Sequence, residues 1–123
     1  MDTHLYLLVD PITKAIMYIG ASSNPEQRLV YHEKEANEDS IFKNIWIKNL
    51  KKLDLSPILI KVAKFKTQNE ANIAEKELIE KYAEDLGLLN LKHNPLLKFL
   101  SSLGQRRKRK YQEIFDSIYR ATN

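Results

Sequence analysis

Residues 3 to 20, THLYLLVDPITKAIMYIG, hold two short apolar runs around a five-residue break that opens with Asp-Pro. That pattern is the signature of a β-hairpin and commits the start of the chain to an antiparallel sheet. If the loop is symmetric about Ile12, Val9 faces Ala15, Leu7 faces Met17 and Tyr6 faces Tyr18. Both tyrosines then lie on one face, and a one-residue slip would separate them.

The segments after the hairpin must cover that sheet. Asn24 is a good N-cap, Pro25 suits the first helical position and Glu26 the positive end of the dipole, so a helix is expected from Pro25 to Glu35. Arg28 and His32 are four apart and share one of its faces. A second helix, SIFKNIWIKNLKKL from Ser40, has Ile41, Ile45, Trp46 and Leu50 as its apolar stripe. PILIKVAKF, from Pro57, is rich in branched residues and reads as a third strand. Thr67 to Glu70 matches the capping box and opens a helix that Gly87 closes. Beyond it lie the short extended piece LLNLKHNP and two helical patterns, over 95–102 and 106–120. The expected fold class is α/β: a three-stranded, mainly antiparallel sheet flanked by helices, plus a C-terminal helical tail.

The chain has 123 residues, enough for one domain with a core. It has no cysteine, which excludes disulfides, thiol catalysis and thiolate metal sites. Three widely spaced histidines make a zinc cage a poor expectation. No cationic leader or apolar span opens the sequence, so no membrane partner is expected, and a cytoplasmic setting is, nucleoid-associated in a prokaryote or virus. The net charge of +4 is concentrated. Residues 106 to 123 carry six Lys/Arg against two Asp/Glu, and the first 105 residues balance at 14 of each. Arg106, Arg107, Lys108, Arg109 and Lys110 form a run suited to a polyanion, or to a solvated helix face. The helix they open carries Tyr111, Ile114, Phe115, Ile118 and Tyr119 as a stripe that docks on the domain or pairs two chains.

One helical residue breaks its pattern. At about 100° per residue, Ala71, Leu78, Ile79, Tyr82 and Leu86 share an arc, and Glu75 falls inside it. A carboxylate there must be paired, bind a cation or shift its pKa upward; the plain alternative is a helix-edge ion pair with a neighbouring lysine or arginine. Tyr6, Tyr18, Arg28, His32 and Asn90 each have a comparably plain explanation when taken singly.

Their order along the chain resembles the GIY-YIG nuclease family. HLY, His4 to Tyr6, stands where the first tyrosine motif belongs, and YIG, Tyr18 to Gly20, stands for the second. SSNPEQRLVYH is similar to the arginine-bearing helix start, with Arg28 in the arginine position and His32 one turn later. NEANIAEKELIEKY resembles the glutamate helix and puts Glu75 in its metal-binding position, and LLN supplies Asn90. The first motif lacks its glycine, with His4 in its place, and Ala21 stands where some members carry lysine.

The resemblance implies a domain over 1–94 and a helical extension with the basic segment over 95–123. It implies an endonuclease that cuts DNA, duplex or branched, with Mg²⁺ (Mn²⁺ as a substitute) held mainly by Glu75. In that reading Arg28 binds the scissile phosphate, Tyr6 is the candidate general base and Tyr18 bonds the water or phosphate. His32 is a competing base or proton relay, and Asn90 orients the glutamate or the backbone of the site. The basic run would contact phosphates outside the site, and a homodimer through the C-terminal helix is a further expectation. Two rivals stand beside it: a non-catalytic nucleic-acid-binding or regulatory module on the same fold, and an unrelated α/β interaction protein whose tail helix binds a partner.

Overall fold

The computed structural model describes residues 2–34, 41–90, 92–94, 97, 113, 114 and 117. Six elements form in the order β1 (Thr3–Val9), β2 (Ile16–Ser22), α1 (Pro25–Lys34), α2 (Ile41–Lys52), β3 (Ile58–Phe65) and α3 (Gln68–Leu86). The sheet order is β2-β1-β3, and both pairings are antiparallel. Alternation along the strands then sorts the apolar side chains into two cores. Tyr6, Leu8 and Tyr18 pack with Phe42, Trp46, Ile47 and Leu50 of α2. Leu5 and Ile19 point the other way and pack with Ile79 and Ala83 of α3 and with Leu88.

The hairpin register differs from the symmetric one. Tyr6 faces Gly20 and Leu8 faces Tyr18, a shift of two residues from the expected pairing. The loop is the cause. Asp10 accepts the Ile12 and Thr13 amides on Oδ1, and the Asp10 and Ala15 main chains close the turn. Lys14 takes the left-handed conformation at φ 64°. Next to the turn the register slips by one residue between Leu8 and Val9, bulging β2 at Met17. The net shift is even, so Tyr6 and Tyr18 still share a face, now as diagonal neighbours.

The helices follow from their local signals. Thr67 Oγ1 accepts the Glu70 amide at 3.2 Å and donates to Glu70 Oε1 at 3.2 Å. Gly87 ends α3 at φ 64°, its N–H turned back on the Ala83 and Glu84 carbonyls. Leu86, expected in the apolar arc, is 40% exposed. Ala83, four residues beyond Ile79, takes the inward position of the last turn instead. Among the described residues no helix is long and apolar enough to cross a membrane.

The chain just after α3 completes the outer edge of β2. The Leu89 amide donates to the Met17 carbonyl at 2.7 Å. Asn90 then accepts from the Ile19 N–H at 3.0 Å and donates to the Ile19 carbonyl at 2.7 Å. A side-chain amide thus does what a neighbouring strand would do, and it fixes the YIG backbone. The 95–102 helix, the 106–120 helix and the Arg106–Lys110 run lie largely or wholly outside the described residues. Of the tail, Glu113, Ile114 and Ser117 are helical and exposed.

Candidate active site

The Tyr6 face of the sheet is where polar groups gather. Tyr6 is 1% exposed, and its ring lies across Gly20 on the neighbouring strand. A Cβ on Gly20 would overlap the end of the Tyr6 ring. The glycine of YIG is therefore a space requirement, and the phenol of one motif occupies the gap left by the other.

Helix α1 brings two residues to this face. His32 is buried, with Nε2 3.3 Å from Tyr6 Oη. Its ring meets the Tyr18 ring edge-on, with centroids 5.3 Å apart. One turn earlier Arg28 is half-buried, its guanidinium 4.9 Å from the centre of the Tyr31 ring. Stacking of this kind restrains a planar cation. Burial, reinforced by the positive charges of Lys43 and Arg28, pushes the His32 pKa down to about 3, so the imidazole is neutral at ordinary pH.

Lys43 of α2 is the residue that the sequence pattern did not single out. It is fully buried, with Nζ 2.7 Å from His32 Nδ1 and 5.3 Å from the centre of the Tyr18 ring. The signal was available. Lys43, Trp46, Ile47 and Leu50 stand at i, i+3, i+4 and i+7, so Lys43 occupies a core position of α2 just as Glu75 does in α3.

The rim of this face is charged. Lys61 of β3 pairs directly with Tyr6 in the sheet, and its Nζ is 2.6 Å from Glu26 Oε1 of α1. That hydrogen bond holds the Glu26 carboxyl below its usual range. His4, the residue in place of the first motif's glycine, sits in ordinary strand geometry opposite Ser22 and Lys64.

Tyr6, Tyr18 and His32 thus meet directly, with Arg28 one helical turn from His32. Asn90 is tied to the Ile19 main chain and acts through the backbone of β2. Glu75 lies half-buried on α3 between Ala71 and Ile79, both fully buried, which is the inward arc of that helix. Among the described residues no three His, Asp or Glu side chains group as a ready-made metal cage. A single carboxylate such as that of Glu75 would suit an oxygen-seeking ion that keeps its waters.

A family model for the GIY-YIG catalytic domain matches residues 3–88, from the first strand to just past α3. The chain belongs to the GIY-YIG family. No curated protein and no solved structure matches it. GIY-YIG domains are nuclease catalytic domains, typically dependent on a divalent metal, and membership implies endonuclease activity on DNA. The GIY-YIG match ends before the basic run begins.

Proposed function

We propose that this GIY-YIG domain is a Mg²⁺-dependent endonuclease that hydrolyses DNA phosphodiester bonds, with Tyr6, Tyr18, Arg28, His32 and Glu75 as its working residues. The observation that carries the reading is the junction of Tyr6, Tyr18 and His32 on the face where α1 also presents Arg28. Buried aromatic hydroxyls, a neutral imidazole and a restrained guanidinium are the groups that water activation and phosphate binding require.

Arg28 binds the scissile phosphate. Its planar, permanently charged fork matches two phosphate oxygens and meets negative charge as it builds on them. Tyr6 is the candidate general base, Tyr18 hydrogen-bonds the water or the phosphate, and His32 supports Tyr6 through the contact of its Nε2 with the phenol oxygen. Glu75 would hold the metal, which supplies charge neutralisation at the phosphate and at the leaving oxygen. One carboxylate and substrate oxygens are enough for Mg²⁺, and Mn²⁺ shares the preference for oxygen ligands. Asn90 keeps the YIG strand in place by bridging the Ile19 main chain.

The test is cleavage of supercoiled plasmid and of branched DNA, with Mg²⁺ or with EDTA. The wild type should cut with Mg²⁺ and stop with EDTA. Arg28→Ala should lose about 10²- to 10³-fold in rate, as removal of one charge-stabilising donor does elsewhere. Glu75→Ala should be inactive at any Mg²⁺ concentration. A wild type that binds DNA without cutting it, or variants that cut as fast as the wild type, would replace the nuclease reading with a binding module on the same fold.

A further inference from the structure

Lys43 is not among the groups that meet the water or the phosphate, yet a fully buried lysine is costly and must be compensated by its surroundings. Two of its neighbours are site residues: the Nδ1 atom of His32 and the ring of Tyr18. As an ammonium, with three donors and no acceptor, Lys43 would donate across these 2.7 Å to an unprotonated Nδ1. A neutral imidazole with a bare Nδ1 carries its proton on Nε2. That atom is the one facing Tyr6 Oη.

We propose that Lys43 is a positioning residue that locks His32 in the Nε2–H tautomer, so that His32 donates to Tyr6 and the proton of the attacking water goes to Tyr6, not to His32. Both ring nitrogens are then engaged, one accepting from Lys43 and the other donating to Tyr6. His32 has no lone pair left for a proton. A donor aimed at the phenol oxygen stabilises its deprotonated form. Tyr6 first loses its proton to solvent; in the hydrolytic step the water oxygen forms the new bond to phosphorus and its proton passes to the Tyr6 phenolate, giving back the phenol. The bond from phosphorus to the leaving sugar oxygen breaks with its electron pair on that oxygen, which takes a proton from solvent.

Other titratable groups lie around the pair. Arg28 and Tyr31 stand beside it on α1 and Tyr18 on β2, while Glu26 pairs with Lys61 at the rim and His4 neighbours Lys64 in the sheet. On α3, Glu75 and Tyr82 are the titratable groups of the inward arc. Lys43 differs from all of these in touching the ring nitrogen that decides the tautomer.

The assignment of the proton acceptor rests on the nuclease reading; the tautomer does not, and it can be measured alone. Long-range ¹H–¹⁵N correlation spectra of the full chain with ¹⁵N-labelled histidine read each ring nitrogen. A His32→Gln variant identifies the His32 signals by their disappearance. The wild type should show Nε2 protonated and Nδ1 bare from pH 5 to 8, with no titration. An Nδ1–H ring, or an imidazolium in that range, overturns the proposal from the wild-type spectrum alone.

In Lys43→Met the single tautomer should be lost, and Lys43→Gln, which keeps an N–H donor, should restore it. On plasmid DNA the ascending limb of kcat/KM against pH should move up by about one unit in Lys43→Met, so kcat/KM below that limb falls about tenfold, with recovery in Lys43→Gln. A Lys43→Met profile superimposable on the wild type would overturn the proton assignment even if the tautomer is as stated. A wild type that cuts nothing overturns the nuclease reading, while the ring spectrum still decides the tautomer.

Discussion

The contact between Tyr6 and Gly20 explains at the level of single atoms why two motifs on different strands behave as one. The phenol lies over the only kind of residue that leaves room for it. Gly20→Ala should therefore push the Tyr6 oxygen away from His32. The overpacking should cost about 1–3 kcal/mol of stability and far more in activity, since the misplaced atom is the proposed proton acceptor. Urea midpoints beside plasmid cleavage rates would show this, and a variant as active as the wild type would count against the role given to Tyr6. His32 makes a second prediction at this scale. Its ring titrates near 6.5 when unfolded and at about 3 when folded. Above 6.5 it is neutral in both states and contributes no pH dependence. Between those values the unfolded chain takes up a proton that the folded chain refuses, so stability falls as the pH falls, by about 1.4 kcal/mol per unit. Urea unfolding at pH 7 and pH 4.5 should reveal a loss of roughly 2–3 kcal/mol that His32→Gln does not share.

Among the elements, the hairpin and α2 are joined by one buried carboxylate. Asp10 is 1% exposed, its Oδ1 ordering the turn and its Oδ2 accepting from Trp46 Nε1 at 2.8 Å. Asp10→Ala would leave the indole N–H buried without this acceptor and release the turn, at a cost of about 2–4 kcal/mol by urea unfolding. Local signals of this scale are where the sequence was most legible. Thr67, Gly87, Asn24 and Pro25 act through neighbours within a few residues, so the helix ends fall where their chemistry places them. The hairpin register was not legible, because the Asp10 turn and the Met17 bulge depend on how the loop closes. The candidate residues Tyr6, Tyr18, Arg28, His32, Glu75 and Asn90 were legible by their order, and of these the fold brings Tyr6, Tyr18 and His32 into contact. Asn90's hold on Ile19 was not, for it needs the chain to return across 71 residues. Lys43 was hidden for a different reason. Charged residues are common on helices, and only the burial of Trp46, Ile47 and Leu50 around it reveals an ammonium in a core position.

On the scale of the whole molecule, the surplus positive charge is concentrated away from the residues that the family model matches. The first 105 residues are balanced, and the surplus of four positive charges lies between 106 and 123. The family match stops at residue 88, so the catalytic unit carries little net attraction for a polyanion of its own. Lysines on its charged rim are partly offset by carboxylates, as Lys61 is by Glu26 and Lys64 by Asp2 at 3.6 Å. If the run Arg106 to Lys110 is the DNA contact expected from the sequence, duplex binding depends on counterion release there, with each phosphate contact adding about 0.9 to the slope of log affinity against log salt. Replacing all five with glutamine should flatten that slope by up to about four units and weaken binding of unrelated duplexes to a similar degree, because phosphate contacts carry no sequence information. The cleavage rate at saturating DNA should stay near that of the wild type. Fluorescence-anisotropy titrations across a range of salt, paired with single-turnover cleavage, separate the two quantities. A variant with an unchanged salt slope would move the DNA footprint onto the charged rim of the sheet. One with an unchanged slope and a lost single-turnover rate would make the run part of the catalytic apparatus.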